Sequence, residues 1–187
     1  MMINKRSRLR KSIVIIGTCA LVALQIVSRA SCRAPGEYDI KAAFLYNFSQ
    51  FVEWPSSAFK DANSPIVIAV LGDDPFGRAL DEVVQEQPTG GRRIIVKRFA
   101  RPRDIDHCQV LFVSTSEKNI EKSALELLNG KSVLTVGETR DFIKHGGIIR
   151  FTVEKRKIGL EVNLERARSE NLKMSSKLLK IAKVVKE

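Results

Sequence analysis

Residues 66–77 read IVIAVLGDDPFG: six apolar side chains in succession, then a glycine, two acids, a proline, a phenylalanine and a second glycine. An apolar run of that length fits a strand buried on both faces. The Gly72-Asp73-Asp74-Pro75 corner then predicts a turn into a helix carrying Leu80, Val83 and Val84. Such a strand belongs in a parallel sheet with helices over both surfaces.

The neighbouring sequence keeps that alternation. Gly90-Gly91 turns the chain into a strand over 94–96. A third strand over 110–113 precedes a helix predicted over 116–128, and a fourth spans 133–136. Thr139 is expected to cap a short helix ending at Gly146-Gly147. Upstream, Asp39 is expected to cap a helix whose apolar stripe is Ile40, Phe44, Phe48 and Phe51, and Pro55 stops it. The pattern changes near the end. Ile149, Phe151 and Val153, then Ile158, Leu160, Val162 and Leu164, alternate with polar residues as in a hairpin with one buried face. A final helix from Ser175 or Ser176 is predicted to carry Leu178, Ile181, Ala182 and Val185. The expected fold is α/β, a single domain with a mostly parallel, Rossmann-like sheet flanked by helices and a C-terminal β-hairpin and helix.

The amino-terminal thirty residues read differently. Lys5, Arg6, Arg8, Arg10 and Lys11 precede an apolar run over 13–27 and small residues up to Ala30, the order of a secretory signal peptide. At about 1.5 Å per residue that run reaches roughly 22 Å, short of a hydrocarbon core of about 30 Å, which argues against a retained anchor. Cleavage is expected after Ala30, leaving 31–187 as the mature domain. Arg29-Ala30-Ser31 ahead of Cys32 argues against a lipid-modified cysteine. Losing 1–30 lowers the formal net charge from +11 to +5, with 26 basic against 21 acidic side chains remaining. The basic composition is thus largely a targeting feature, and nucleic-acid binding loses its support.

Cys32 and Cys108 either pair in an oxidising compartment or leave Cys108 as a buried thiol. With His107 and His145 scattered, they make no metal set, and no cofactor is expected. No Ser, Thr or Cys has an adjacent base and orienting group in the sequence, so an enzyme is not expected. Asp73-Asp74 reads as a turn and helix start. Gly72–Gly77 lacks the second close glycine of a dinucleotide fingerprint. Gly90-Gly91-Arg92-Arg93 reads as a solvated loop, Asn163 as a side chain bonded to nearby backbone, and Lys155-Arg156-Lys157 as a solvent-facing basic turn open to an acidic partner. Trp54 departs from the first helix's stripe, which makes it a candidate partner contact together with Arg156.

In order along the chain, FLYNFSQFVEWP (44–55), VLGDDPFG (70–77), GRRIIVKRF (91–99), CQVLFVS (108–114), SVLTVGE (132–138), GGIIRF (146–151), IGLEVNL (158–164) and SSKLLKIA (175–182) resemble the YfiR-like family of small periplasmic proteins. The resemblance implies a regulator that represses an inner-membrane diguanylate cyclase by engaging its periplasmic portion, with release promoted by an outer-membrane lipoprotein. It also admits a sensory module of a histidine kinase or transport system. Family members often carry disulfides between strands and near the last hairpin. Here the matching strand has Ala69 and the hairpin has no cysteine, which sets this chain apart. A homodimer is expected.

Topology adds one candidate ligand site. In an open parallel sheet the crevice lies beyond the carboxyl ends of the strands where the crossover direction reverses. The loops after strands one, three and four supply Gly72, Asp73, Ser114, Ser116, Gly137 and Arg140, where free amides and one guanidinium suit an anion. This expectation needs Asp73 and Arg140 to face one pocket.

Overall fold

The computed structural model describes residues 35–85 and 91–186; the leader, its cleavage point, Cys32 and Gly90 lie outside them. Helix α1 (Glu37–Phe51) leads into the short strand β1 (Val52–Glu53). The central sheet is built from β2 (Ile66–Leu71), β3 (Ile94–Phe99), β4 (Val110–Val113), β5 (Leu134–Gly137), β6 (Ile149–Glu154), β7 (Lys157–Asn163) and β9 (Lys183–Val185). Helices α2 (Arg78–Gln85) and α3 (Glu121–Glu126) fall between its strands. Helices α4 (Leu164–Ser169) and α5 (Ser176–Ile181), with β8 (Lys173–Met174), lie between β7 and β9.

The strand order is β3-β2-β4-β5-β6-β7-β9. Every pair from β3 to β6 is parallel, β7 turns back antiparallel on β6, and β9 runs parallel to β7. This is the expected mixed α/β fold with a mostly parallel sheet. The β6–β7 turn is closed by Lys155 and Arg156, both at positive φ (49° and 63°), the backbone a two-residue hairpin requires.

All six residues of β2 are buried, as their apolar run demands, and their alternation divides them between two cores. Ile66, Ile68 and Val70 face a core roofed by α1 and α2, with Leu45, Phe48, Phe112, Phe151 and Leu80. Val67, Ala69 and Leu71 face a second core closed by α3 and the 139–147 turn, with Leu125 and Phe142. The Phe142 ring lies between Gly137 and Gly147: a Cβ on either would stand 2.2–2.3 Å from it.

Five local expectations are corrected. Asp39 is not the cap of α1, because the helix starts at Glu37 and the Asp39 carboxylate sits in its first turn, accepting from the Gly36 amide at 2.7 Å. The buried face of α1 is Lys41, Ala42, Leu45, Phe48 and Ser49; of the expected stripe only Phe48 is fully covered, and Ile40 is exposed. The helix expected over 116–128 is a 3₁₀ turn at Thr115–Glu117 and then the shorter α3, since Ile120 leaves helical geometry and Glu121 turns inward. The 139–147 segment forms turns rather than a capped helix, with the Thr139 hydroxyl donating to Glu121 at 2.6 Å. The last helix also ends early: α5 stops at Ile181, and Lys183–Val185 pairs with β7 as β9.

Candidate functional site

The crossover direction reverses between β2 and β4, because β3 pairs on one side of β2 and β4 on the other. At the carboxyl ends of those two strands Gly72, Asp73, Ser114 and Ser116 come together, as the sequence suggests. The gap they frame is filled by the chain itself. The Ser116 Oγ accepts from the Asp73 amide at 3.0 Å and lies 3.0 Å from Glu117, and a Cβ on Gly72 (φ +87°) would meet Ser116 at 2.4 Å and Glu117 at 2.6 Å. Ser114 is buried, its amide bonded to Leu71. Gly137 is covered by Phe142, and Arg140 is exposed in the next turn. Asp74 accepts from the Phe76 amide at 2.8 Å and, with Asp81, grips Arg98, which raises the proton affinity of that guanidinium.

One strand further along, at the ends of β4, β5 and β6, an open cleft of about 510 Å³ is lined by Tyr38, Lys41, Thr115, Glu138 and Arg150 among others. Lys41 is only 1 % exposed, although it carries a charge. Its ammonium is bonded to Glu37 at 2.5 Å and to Glu138, and lies 4.5 Å from the Tyr38 ring centroid. Glu138, itself largely buried, is the partner that offsets the burial, since an unpaired buried ammonium costs several kcal/mol. The Tyr38 hydroxyl donates to Glu138 at 3.0 Å, and burial together with Glu138 and Glu37 pushes its pKa up to about 12. On the opposite wall Arg150 is bonded to Glu161 at 2.6 Å. Burial pushes the Glu161 carboxyl up, but Arg150 and Lys183 outweigh it and leave that carboxyl below the usual range.

Sequence reading missed this cleft. The one available signal is that Lys41, Leu45 and Phe48 share a helix face at i, i+4 and i+7. Glu37 at i−4 makes Lys41 look like half of a solvent-facing pair, whereas Glu138 lies 97 residues away and draws it inward.

Trp54 is half-buried. Its indole N–H donates to the Gln109 carbonyl at 3.1 Å, while the residue lines a second cleft of about 400 Å³ with Pro55, Arg168 and Lys173. Arg156 is exposed at the hairpin tip. Arg92 of the Gly-Gly-Arg-Arg loop is engaged with the Asp61 and Ser64 carbonyls and stacked on Phe59. Asn163 accepts from the Arg166 amide at 2.9 Å, capping α4 as a backbone-bonding residue should.

His107 is exposed at the start of β4. His145 Nδ1 lies 2.8 Å from the fully buried Glu121, a pairing the sequence does not suggest. Cys108 is a buried free thiol whose pKa burial pushes up to about 12, too high for a thiolate at neutral pH. Among the described residues no group of His, Cys, Asp and Glu is arranged to hold a metal, and no helix is long and apolar enough to cross a membrane.

A family model described as YfiR/HmsC-like matches residues 38–183, from the first turn of α1 to the start of β9. The chain belongs to the YfiR/HmsC-like family. Members of that family are regulatory rather than catalytic, are periplasmic in general, and in general act with a membrane diguanylate cyclase. Among curated proteins no match to this YfiR/HmsC-like chain is found.

Proposed function

We propose that this chain is a periplasmic repressor of an inner-membrane diguanylate cyclase, exported by a signal peptide over residues 1–30 that is cleaved after Ala30, and acting as a homodimer through protein–protein contact. The observation that carries this reading is the family match, which spans nearly the whole described sheet and both of its cores. Repression of this kind rests on a free-energy difference between partner-bound and free states and needs no turnover. An outer-membrane lipoprotein would relieve it by competing for the repressor.

Trp54 and Arg156 are the residues we assign to partner contact. Trp54 borders a cleft lined by Arg168 and Lys173, neither of which makes an ion pair among the described residues, and by Glu53, which lies opposite Lys173 in the strand register; Arg156 is exposed at the hairpin tip. The test is co-purification from membranes with a membrane diguanylate cyclase of the same organism. Recovery of the two proteins together, lost in a folded Trp54→Ala or Arg156→Glu variant, supports the assignment. A cyclase recovered without the repressor contradicts it. Alanine at His107 or His145 is expected to leave repression intact wherever the variant is folded, and intact-mass measurement of the exported protein is expected to show a chain beginning near Ser31.

A second reading, a small-molecule sensor module of a histidine kinase or transport system, is favoured by one feature: an open charged cleft at the carboxyl ends of parallel strands. In that reading an anion site beside the cleft rests on the exposed members of the expected set, Asp73, Ser116 and Arg140, because Gly72 and Gly137 are covered by neighbouring side chains and Ser114 is buried. Arg140→Ala should weaken binding of an anionic ligand without unfolding the domain. Unchanged affinity moves the site elsewhere.

A further inference from the structure

The sixteen residues 171–186 contain five lysines, Lys173, Lys177, Lys180, Lys183 and Lys186, and no acid. Lys183 reaches Glu161 at 3.5 Å; among the described residues no ion pair engages Lys177, Lys180 or Lys186, and all of them are exposed. Between them stand two of the most exposed large apolar side chains among the described residues, Ile181 (59 %) and Val184 (51 %). Lys177, Lys180 and Ile181 stand at i, i+3 and i+4 of α5 and therefore share a helix face. Leu178, fully buried, pins the other face of α5 to the core. The result is a stretch of exposed aliphatic side chains flanked by ammonium groups, three of them without an ion pair among the described residues.

Lysine on an edge strand guards against pairing with another sheet, and β9 is an edge. That accounts for Lys183 but not for Ile181 and Val184, since a guarded edge gains nothing by exposing apolar groups. A protein interface is also a poor fit, because interface centres are enriched in aromatic residues and arginine and depleted in lysine. Aliphatic groups with flanking lysines suit a lipid headgroup layer: the apolar groups enter the boundary with the acyl chains, and the flexible lysine stems let each ammonium rise to an anionic headgroup.

We infer that the α5–β9 surface docks onto an anionic lipid bilayer. In the cell this would hold the protein against the membrane face and convert a search through volume into one over a surface. The inference stands apart from the repression reading, because a repressor can act from solution.

The experiment is co-sedimentation of the chain with vesicles of phosphatidylcholine alone and of phosphatidylcholine mixed equally with phosphatidylglycerol. All variants begin at Ser31, the mature N-terminus proposed above, so the basic and apolar leader takes no part in vesicle binding. Binding is expected only to the anionic vesicles and should weaken about fivefold for each lysine neutralised in the series Lys177→Gln, Lys180→Gln and Lys186→Gln, with salt weakening it further. Ile181→Ser with Val184→Ser should weaken it again while leaving the urea midpoint unchanged. Equal binding to both vesicle types, or undiminished binding by the triple lysine variant, overturns the inference. So does a triple variant that loses cyclase co-purification yet keeps its vesicle affinity, which would make this surface a protein contact.

Discussion

Two neighbouring gaps at the carboxyl edge of one sheet are treated in opposite ways. Between β2 and β4, where topology places the crevice, Ser116 and Glu117 fold back over Gly72 and close it. One strand along, over β4, β5 and β6, Lys41 and Tyr38 of α1 meet Glu138, and the gap stays open as a cleft of about 510 Å³. The backbone rule locates the edge on which a site can form. Which gap is open depends on the loop that follows each strand and on the helix lying across it. The closed gap is held by uncharged contacts between two loops 43 residues apart, the open one by a buried charge whose partner lies 97 residues away.

The largest effect is expected where the open cleft depends on its buried charge. Lys41→Met leaves Glu138 without its cation and should cost about 3–5 kcal/mol in urea unfolding, with Glu138→Gln in the same background restoring part of the loss. A cost below that of an exposed pair would mean that the cleft does not depend on Lys41. The closed gap is tested by Gly72→Ala, which meets a positive φ and both the Ser116 and Glu117 side chains. It should cost about 2 kcal/mol, and Ser116→Gly with Glu117→Gly should relieve the steric part alone. Recovery to wild-type stability in that triple variant would show that the backbone at Gly72 is not strained.

A smaller effect is expected at Tyr38. Removing its hydroxyl in Tyr38→Phe should cost about 1 kcal/mol, the net worth of one hydrogen bond. Its raised pKa sets a pH window. The stability linked to the neutral phenol is fully present below pH 10 and is lost as pH rises toward about 12, because over that range the folded state keeps a proton that the unfolded state has released. An absorbance titration of a Tyr46→Phe variant should show Tyr38 ionising near the upper end. Ionisation near 10 would place its hydroxyl in solvent, away from Glu138. The smallest effect is that of Arg140→Ala, whose exposed side chain lies in neither cleft; its unfolding midpoint should not move.

Sequence made the parallel half of the fold legible because its signals are local. An apolar run such as 66–71 can be buried only as a central strand, and Gly72-Asp73-Asp74-Pro75 marks its end. The α1 face was not legible. Ile40, Phe44, Phe48 and Phe51 are the more apolar stripe, yet the stripe that turns inward runs through Lys41, whose partner Glu138 is brought to it by tertiary folding. The β9 strand was hidden for a related reason. LLKIAKVV has helical composition, and only the open edge of β7 at Glu161–Asn163 recruits its end into the sheet. Of the candidate site, the clustering of Gly72, Asp73, Ser114 and Ser116 was legible from topology. Its closure was not, since that depends on where two side chains point.

Regulation by binding is measured most directly as the rate of cyclic-di-GMP synthesis by membranes containing a diguanylate cyclase of the same organism, titrated with this protein. The account predicts a rate that falls to a plateau once protein and cyclase are equimolar, recovers when the protein is removed, and falls equally with folded His107→Ala or His145→Ala variants. A rate that is indifferent to the protein at any ratio, or repression lost in a folded histidine variant, would contradict it.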